Sequence, residues 1–299
     1  GLAVPAFAQK PVKIGVLTPL SPPGDASAGQ FIVRGAKMGA DDVNAVMKVL
    51  RSDYLTQGPK VKEFETALAE KTGSRFAVAF SSGTAALEAA FFAGGIKRGD
   101  EVITSPLTFA ATANAALSAG ARVVFADIEE ESGNIDPEEV RGKITRKTKA
   151  IVPVDYGGLP ARLAELKKLS SARGILLIED AAHALGASLG GKKVGSIADM
   201  TMFSFHPVKS ITTGEGGAIT TNRRDFYEKL LCFREHGITK DPRRFLRKSE
   251  GGWYCEMQTL GHNYRLTDIQ CALGISQLKK LERFIQKRRA LANRYHDNF

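Results

Sequence analysis

The chain has 299 residues, 43% of them hydrophobic, and a formal charge of +10. That length can bury a sizeable core in one large domain or two ordinary ones. No apolar run reaches the roughly 18 residues needed to span a bilayer. The three cysteines, Cys232, Cys255 and Cys271, form no CxxC pair, which argues against a disulfide framework or a zinc site and fits a reducing compartment.

Much of the positive charge lies late, at Arg243, Arg244, Arg247 and Lys248, then at Lys279, Lys280, Arg283, Lys287, Arg288 and Arg289. Nucleic acid is the sharper reading of this run, but no aromatic platform is interleaved and no nucleic-acid motif accompanies it. A solvated helix face is the better reading. A basic surface also steers anionic small substrates.

In chain order, residues 1–40 read differently from the rest. Ala6-Phe7-Ala8 supplies the small-x-small pattern that ends a secretory signal. Val12 to Thr18 is a short apolar strand, a Pro/Gly loop runs from Pro19 to Gly24, and a helix starts near Gly29. The stretch resembles the amino terminus of periplasmic amino-acid-binding proteins. It is expected to be foreign to the remainder of the chain, a fusion or an artefact joined near Gly39 to Val43. Beyond it, residues 41–265 alternate helix and strand. Helices are predicted over Asp41–Leu50, Val61–Lys71, Thr84–Gly94, Phe109–Ala119, Pro137–Ile144 and Ala161–Ala172. The strands between them are Ala77–Phe80, Glu101–Thr104, Arg122–Phe125, Ala150–Val154 and Ile175–Ile178. These strands are short and apolar on both faces, as in a mostly parallel central sheet covered by helices. Gly186 through Gly191-Lys192-Lys193 nearly matches a phosphate-binding loop, but Lys193 stands where Ser or Thr is required, and Leu189 to Val194 reads better as a hairpin turn. Strands at Met202-Phe203 and Ala218-Ile219-Thr220 come next, then helices over Asp225–Glu235, Thr267–Gln277 and Leu278–Tyr295.

Three motifs carry chemistry. Ser82-Gly83-Thr84-Ala85 is a glycine turn opening a helix, whose N–H groups and dipole bind phosphate; the plainer reading is a helix cap at Ser82 or Thr84. Asp180 ends an apolar strand, where an α/β sheet meets its ligand crevice; an acid there keeps a pyridine nitrogen protonated. His183 comes three residues later and would face the same site. Lys209, in the loop after Met202-Phe203 and before Gly214-Glu215-Gly216-Gly217, can form a Schiff base and then act as a proton carrier. Ser204 lies within reach of a phosphate. Phe109 falls after the strand Glu101–Thr104 and could stack on a ring or sit in the core. Phosphate cradle, acid and lysine in this order suggest pyridoxal phosphate (PLP).

Together these residues resemble the DegT group of PLP-dependent sugar-nucleotide aminotransferases, over roughly Asp41 to Phe299. Four stretches are similar to its pseudaminic acid branch: Ser52 to Pro59, Val154-Asp155-Tyr156-Gly157-Gly158, Ser204-Phe205-His206, and Leu260 to Leu266. The resemblance implies an α/β fold, the large domain of PLP fold type I. It implies a cytoplasmic enzyme that moves an amino group from glutamate to the 4-keto carbon of a UDP-linked 6-deoxy-hexose. Lys209 matches the Schiff-base lysine, Asp180 the acid on the pyridine nitrogen, and His183 a neighbour of the ring's phenolic oxygen. Thr84, Ala85 and Ser204 match the phosphate contacts, and Phe109 the stacking aromatic. Asn263 matches a residue that reaches the cofactor phosphate of a neighbouring subunit, which implies a homodimer. Residues 266–299 then form a helical connector toward a small domain that is largely missing, and weak PLP binding or poor turnover is expected of this chain alone. Two rival readings are a periplasmic solute-binding fragment, resting on Lys13 to Ala40, and a catalytically inactive PLP-fold protein.

Overall fold

The computed structural model describes residues 39–247 and 251–298. The signal-like tail, strand and helix expected within residues 1–38 lie outside the described residues. The remainder is built on a seven-stranded sheet flanked by helices.

The first helix, α1 (Ala40–Leu50), starts where the Asp42 carboxylate accepts the Gly39 N–H at 3.1 Å. Helix α2 (Pro59–Thr72) opens on a proline, whose missing N–H costs nothing at that position, and closes on Gly73 at φ 69°. Strand β1 (Phe76–Phe80) leads into α3 (Gly83–Ala93), β2 (Glu101–Thr104), α4 (Ala110–Ser118) and β3 (Arg122–Phe125). Then come α5 (Pro137–Lys143), β4 (Thr148–Val152), α6 (Leu163–Ser171) and β5 (Leu176–Asp180). A hairpin of β6 (Ser188–Leu189) and β7 (Lys192–Lys193) turns through Gly190 and Gly191, both at positive φ. The near-match to a phosphate loop is therefore a turn, as its sequence implied. Strands β8 (Met200–Ser204) and β9 (Gly217–Thr221) complete the sheet, and helices α7 (Arg224–Arg234), α8 (Asp268–Lys279) and α9 (Leu281–His296) lie beyond it in the chain.

The strand order is β1-β9-β8-β5-β4-β2-β3. Strand β9 pairs antiparallel with both β1 and β8, while β8, β5, β4, β2 and β3 run parallel. The sheet is thus mostly parallel with one reversed strand. Side-chain alternation sorts its residues into layers. On one face Val78, Phe80, Ile178, Met202 and Ile219 pack with the alanines of α3 and with Phe226 and Leu230 of α7. On the other, Ala77, Ala79, Phe203 and Ala218 meet Phe64 and Leu68 of α2, while Ile103, Ile151 and Leu177 meet Leu163 and Leu166 of α6. Strand β3 departs from the expectation of strands apolar on both faces. It is the sheet's edge, and its Phe125 is half exposed.

The expected helix Thr267–Gln277 runs to Lys279, and the next begins at Leu281 rather than Leu278. On α9 only one side packs inward, through Leu281 and Ile285, and Arg283, Lys287 and Arg289 face solvent. These three form a solvated face, whereas Lys280 pairs with buried Asp42 at 2.9 Å. Cys232 and Cys271 are buried and Cys255 is exposed, all as free thiols. Among the described residues no helix is long and apolar enough to cross a membrane.

Candidate active site

Strands β1, β2, β4, β5 and β8 all point their carboxyl ends to one edge of the sheet. The loops leaving that edge enclose a cavity of roughly 650 Å³, lined by Thr84, Phe109, Asp180, His183, Ser204 and Lys209 among others. This is the ligand crevice of an open α/β sheet. Six of the eight residues expected at the site are therefore brought together.

The phosphate end is built by glycine. Ser82 caps α3, its side chain accepting the Ala85 N–H at 3.1 Å. That leaves Thr84 exposed at the cavity wall. A Cβ on Gly83 would lie 3.2 Å from Ser204 Cβ, so the missing side chain lets the helix start sit directly on the end of β8. Ala85, expected at the phosphate, does not line the cavity. It is buried in the core and its N–H is engaged by Ser82, because the cap competes for the donor that a phosphate would use.

At the opposite end, Asp180 is the last residue of β5 and only 5% exposed. Thr112 Oγ1 donates to its Oδ2 at 2.7 Å, and the Ala182 N–H donates to Oδ1 at 3.2 Å. Burial pushes the Asp180 carboxyl above its ordinary range, opposed by these two donors and by the Lys209 charge. Thr112 was not legible as a site residue, although it lies three positions after Phe109 and so shares its helix face.

Lys209 projects from the loop between β8 and β9. That loop is closed by Phe205 N–H to Gly216 C=O at 2.8 Å and Thr213 N–H to Phe205 C=O at 3.0 Å. Lys209 Nζ lies 2.7 Å from His183 Nε2. With the imidazole neutral, Nε2 accepts from the amine. Burial lowers the Lys209 amine, and the Asp180 charge opposes that shift. Burial also lowers His183, and the Lys209 charge lowers it further. Arg288, on α9, donates to the Lys209 and Ser210 carbonyls at 3.1 and 3.2 Å, a hold on the Lys209 loop from a helix far away in sequence.

Phe109 is 80% exposed, which sets aside the core reading. Tyr156, after β4, also lines the cavity and was missed as a site residue, although it too lies beyond a strand's carboxyl end. Asn263 does not line it; it bridges Glu235 through the backbone.

A cavity of this size, with a buried acid at one end, a glycine-cleared helix start at the other and a half-buried lysine between, fits PLP. The fold and site define a PLP-dependent enzyme of fold type I. The chain belongs to the DegT/DnrJ/EryC1/StrS aminotransferase family, whose sequence profile matches residues 36–299. It is 46% identical over 261 residues to UDP-4-amino-4,6-dideoxy-N-acetyl-beta-L-altrosamine transaminase of Campylobacter jejuni, covering 86% of this chain and 66% of that one. The structure resembles Helicobacter pylori PseC, an aminotransferase involved in the biosynthesis of pseudoaminic acid, with TM-score 0.79 and 41% identity over 86% of this chain and 67% of that one. It also resembles Spr1654 of Streptococcus pneumoniae in its PLP form, with TM-score 0.81 and 31% identity over 88% and 70% of the two chains. The chain spans about two thirds of the length of these relatives.

Proposed function

We propose that this chain carries the active site of an aminotransferase that moves an amino group from glutamate to the 4-keto carbon of a UDP-linked 6-deoxy-hexose. The carrying observation is Lys209 Nζ beside His183 and within the field of buried Asp180, in one cavity. The sugar class is supported by the name of the Campylobacter relative and by the four stretches that resemble the pseudaminic acid branch. Glutamate as donor and a cytoplasmic setting, where such a sugar nucleotide and the cofactor meet, belong to the same reading. So does a homodimer in which Asn263, outside its own cavity, serves the neighbouring one.

Bound here, PLP would supply the electron sink that makes a substrate carbon acidic. Each side chain then has a distinct task. Asp180 holds a pyridine nitrogen in its protonated form, and Thr112 with the Ala182 N–H fixes the acid's orientation. The N–H groups at the start of α3, Thr84 and Ser204 receive the phosphate, with the helix dipole behind them. Phe109 offers a flat apolar face for a ring. Lys209 would hold the cofactor through Nζ, and its amine is placed to carry a proton to and from a substrate carbon. Its lowered affinity for protons makes the neutral, reactive amine more abundant near neutral pH. His183 accepts from Lys209 and keeps it directed into the cavity.

The test is the visible spectrum after adding PLP, for the natural chain and for Lys209→Ala, with glutamate and then candidate 4-keto sugars added in turn. A new band that borohydride fixes only when Lys209 is present, and that glutamate discharges, is the expected result. No Lys209-dependent band would refute the assignment of the lysine. A band that no 4-keto sugar nucleotide can restore would refute the substrate.

A further inference from the structure

Three carboxyl groups meet in one corner beneath the cavity. Asp155 is 1% exposed, Glu179 0% and Asp180 5%. The backbone ties them together, with the Asp155 N–H donating to the Asp180 carbonyl at 3.0 Å and Val154 bridging Asp180 in parallel. Each Asp180 oxygen has a donor, Thr112 or the Ala182 N–H. Asp155 Oδ1 accepts the Ala161 N–H at 3.0 Å, and Glu179 Oε2 accepts Thr201 Oγ1 at 2.6 Å. That leaves Asp155 Oδ2 and Glu179 Oε1, both buried, without a hydrogen-bond donor among the described residues. The two carboxyl groups lie within hydrogen-bonding reach of one another. Ionised carboxylates are acceptors only, so the contact requires a proton between them.

We propose that Asp155 and Glu179 share one proton as a carboxylic acid–carboxylate pair, and that this pair positions Asp180 as the anion facing the site. The groups around the pair support it. The charged groups that act most on it are its own two members and Asp180. Lys209 and His183 interact beyond Asp180, on the cavity side. The other neighbours are neutral: the Thr201 hydroxyl from β8, the Ala161 N–H, and the Gly195 N–H from the loop before β8. Burial, with the Glu179 charge second, lifts Asp155 well above the carboxylate range, and burial lifts Glu179 to about 7. Without the shared proton, three buried anions would crowd one corner and the proton would be driven onto Asp180. Asp180 would then lose the charge that a protonated pyridine nitrogen needs. The shared proton does not depend on turnover; only its consequence for Asp180 rests on the proposed cofactor chemistry.

The experiment uses the whole chain, with and without PLP, and tracks thermal unfolding from pH 4 to 9 together with infrared absorption in H2O and D2O. A proton held only by the folded state is worth most below the unfolded pKa and is lost as pH rises through the folded one. Stability tied to the pair therefore falls between the ordinary 4.5 of a glutamate and about 7. Asp155→Asn supplies a permanent N–H donor to Glu179 and needs no proton. Its folding equilibrium should gain on the natural chain by up to about tenfold per pH unit across that window. Glu179→Gln should do the same from the other side, and Asp155→Ala should lose stability. At neutral pH the natural chain should show a protonated carboxyl band that moves on deuteration and is absent from Asp155→Asn and Glu179→Gln. With PLP bound, the pH at which the cofactor band titrates should stay natural in Asp155→Asn and shift in Asp155→Ala. Parallel pH profiles for the natural chain and Asp155→Asn would overturn the proposal. Persistence of the band in both amide variants would do so too. Should neither variant fold, absence of the band from the natural chain overturns it and its presence supports it.

Discussion

Replacing Thr112 with Val tests whether the site is organised around a buried, ionised Asp180. Thr112 Oγ1 donates to Asp180 Oδ2 at 2.7 Å, both residues are nearly inaccessible, and the two lie 68 positions apart. Valine keeps the shape and deletes the donor. A hydrogen bond to a charged group contributes about 1.5–3 kcal/mol, so the Asp180 anion loses roughly that much support. Because that anion is what a protonated pyridine nitrogen pairs with, PLP affinity should fall on the order of 10- to 100-fold. The sign of the pH effect is also determined. Burial already raises the Asp180 carboxyl and Thr112 lowers it, so removing Thr112 raises it further. The loss of PLP affinity on acidification should therefore begin at higher pH in Thr112→Val. The assay is a PLP titration by absorbance at several pH values, with Thr112→Ser, which keeps the hydroxyl, restoring most of the affinity. If Thr112→Val folds normally and binds PLP within about twofold of the natural chain at every pH, Asp180 is not the anion the site depends on.

Two further substitutions probe the other walls. Gly217→Ala would bring a Cβ to 2.5 Å from the Ser82 carbonyl and 2.6 Å from Gly83 N, where β9 lies between the ends of β1 and β8. Overpacking of this kind costs about 1–3 kcal/mol, and urea unfolding should show that loss together with weaker PLP binding. Phe109→Ala removes a ring that is 80% exposed, so stability should move by less than about 0.5 kcal/mol. A stacking contact of about 0.5–1.5 kcal/mol would be lost with it, so the PLP dissociation constant should rise about 2- to 10-fold. An unchanged constant would remove Phe109 from the site.

The local pattern of the chain determined its elements and much of its site. Short runs apolar on both faces mark the strands, and helical spacing marks the layers between them. Asp180, Lys209 and the Ser82-Gly83-Thr84 turn were legible because each lies at or just past the end of a strand, and the carboxyl ends of parallel strands share one edge. Alternation also accounts for why Ile178 faces one layer and Leu177 the other. Ala85, which the resemblance implied for the phosphate, gives its N–H to the Ser82 side chain, a pairing that no motif specifies.

Other features depend on strand order, which no local period encodes. Strand β9 enters the sheet between β1 and β8 and runs against both, so Gly217 comes to lie under the start of α3. The order β8-β5-β4-β2 sets Thr112 against Asp180 and Asp155 against Glu179. The same packing buries Arg234 against Glu65, 169 positions away, with the Ala79 carbonyl accepting from the same guanidinium. Hydrophobic periodicity reports which way a residue faces, because burial favours one face of each element. It carries no information about which distant residue will face it. That is settled only when the layers close, and the partner of a buried polar group is chosen there, since leaving it unpaired is what the fold cannot tolerate.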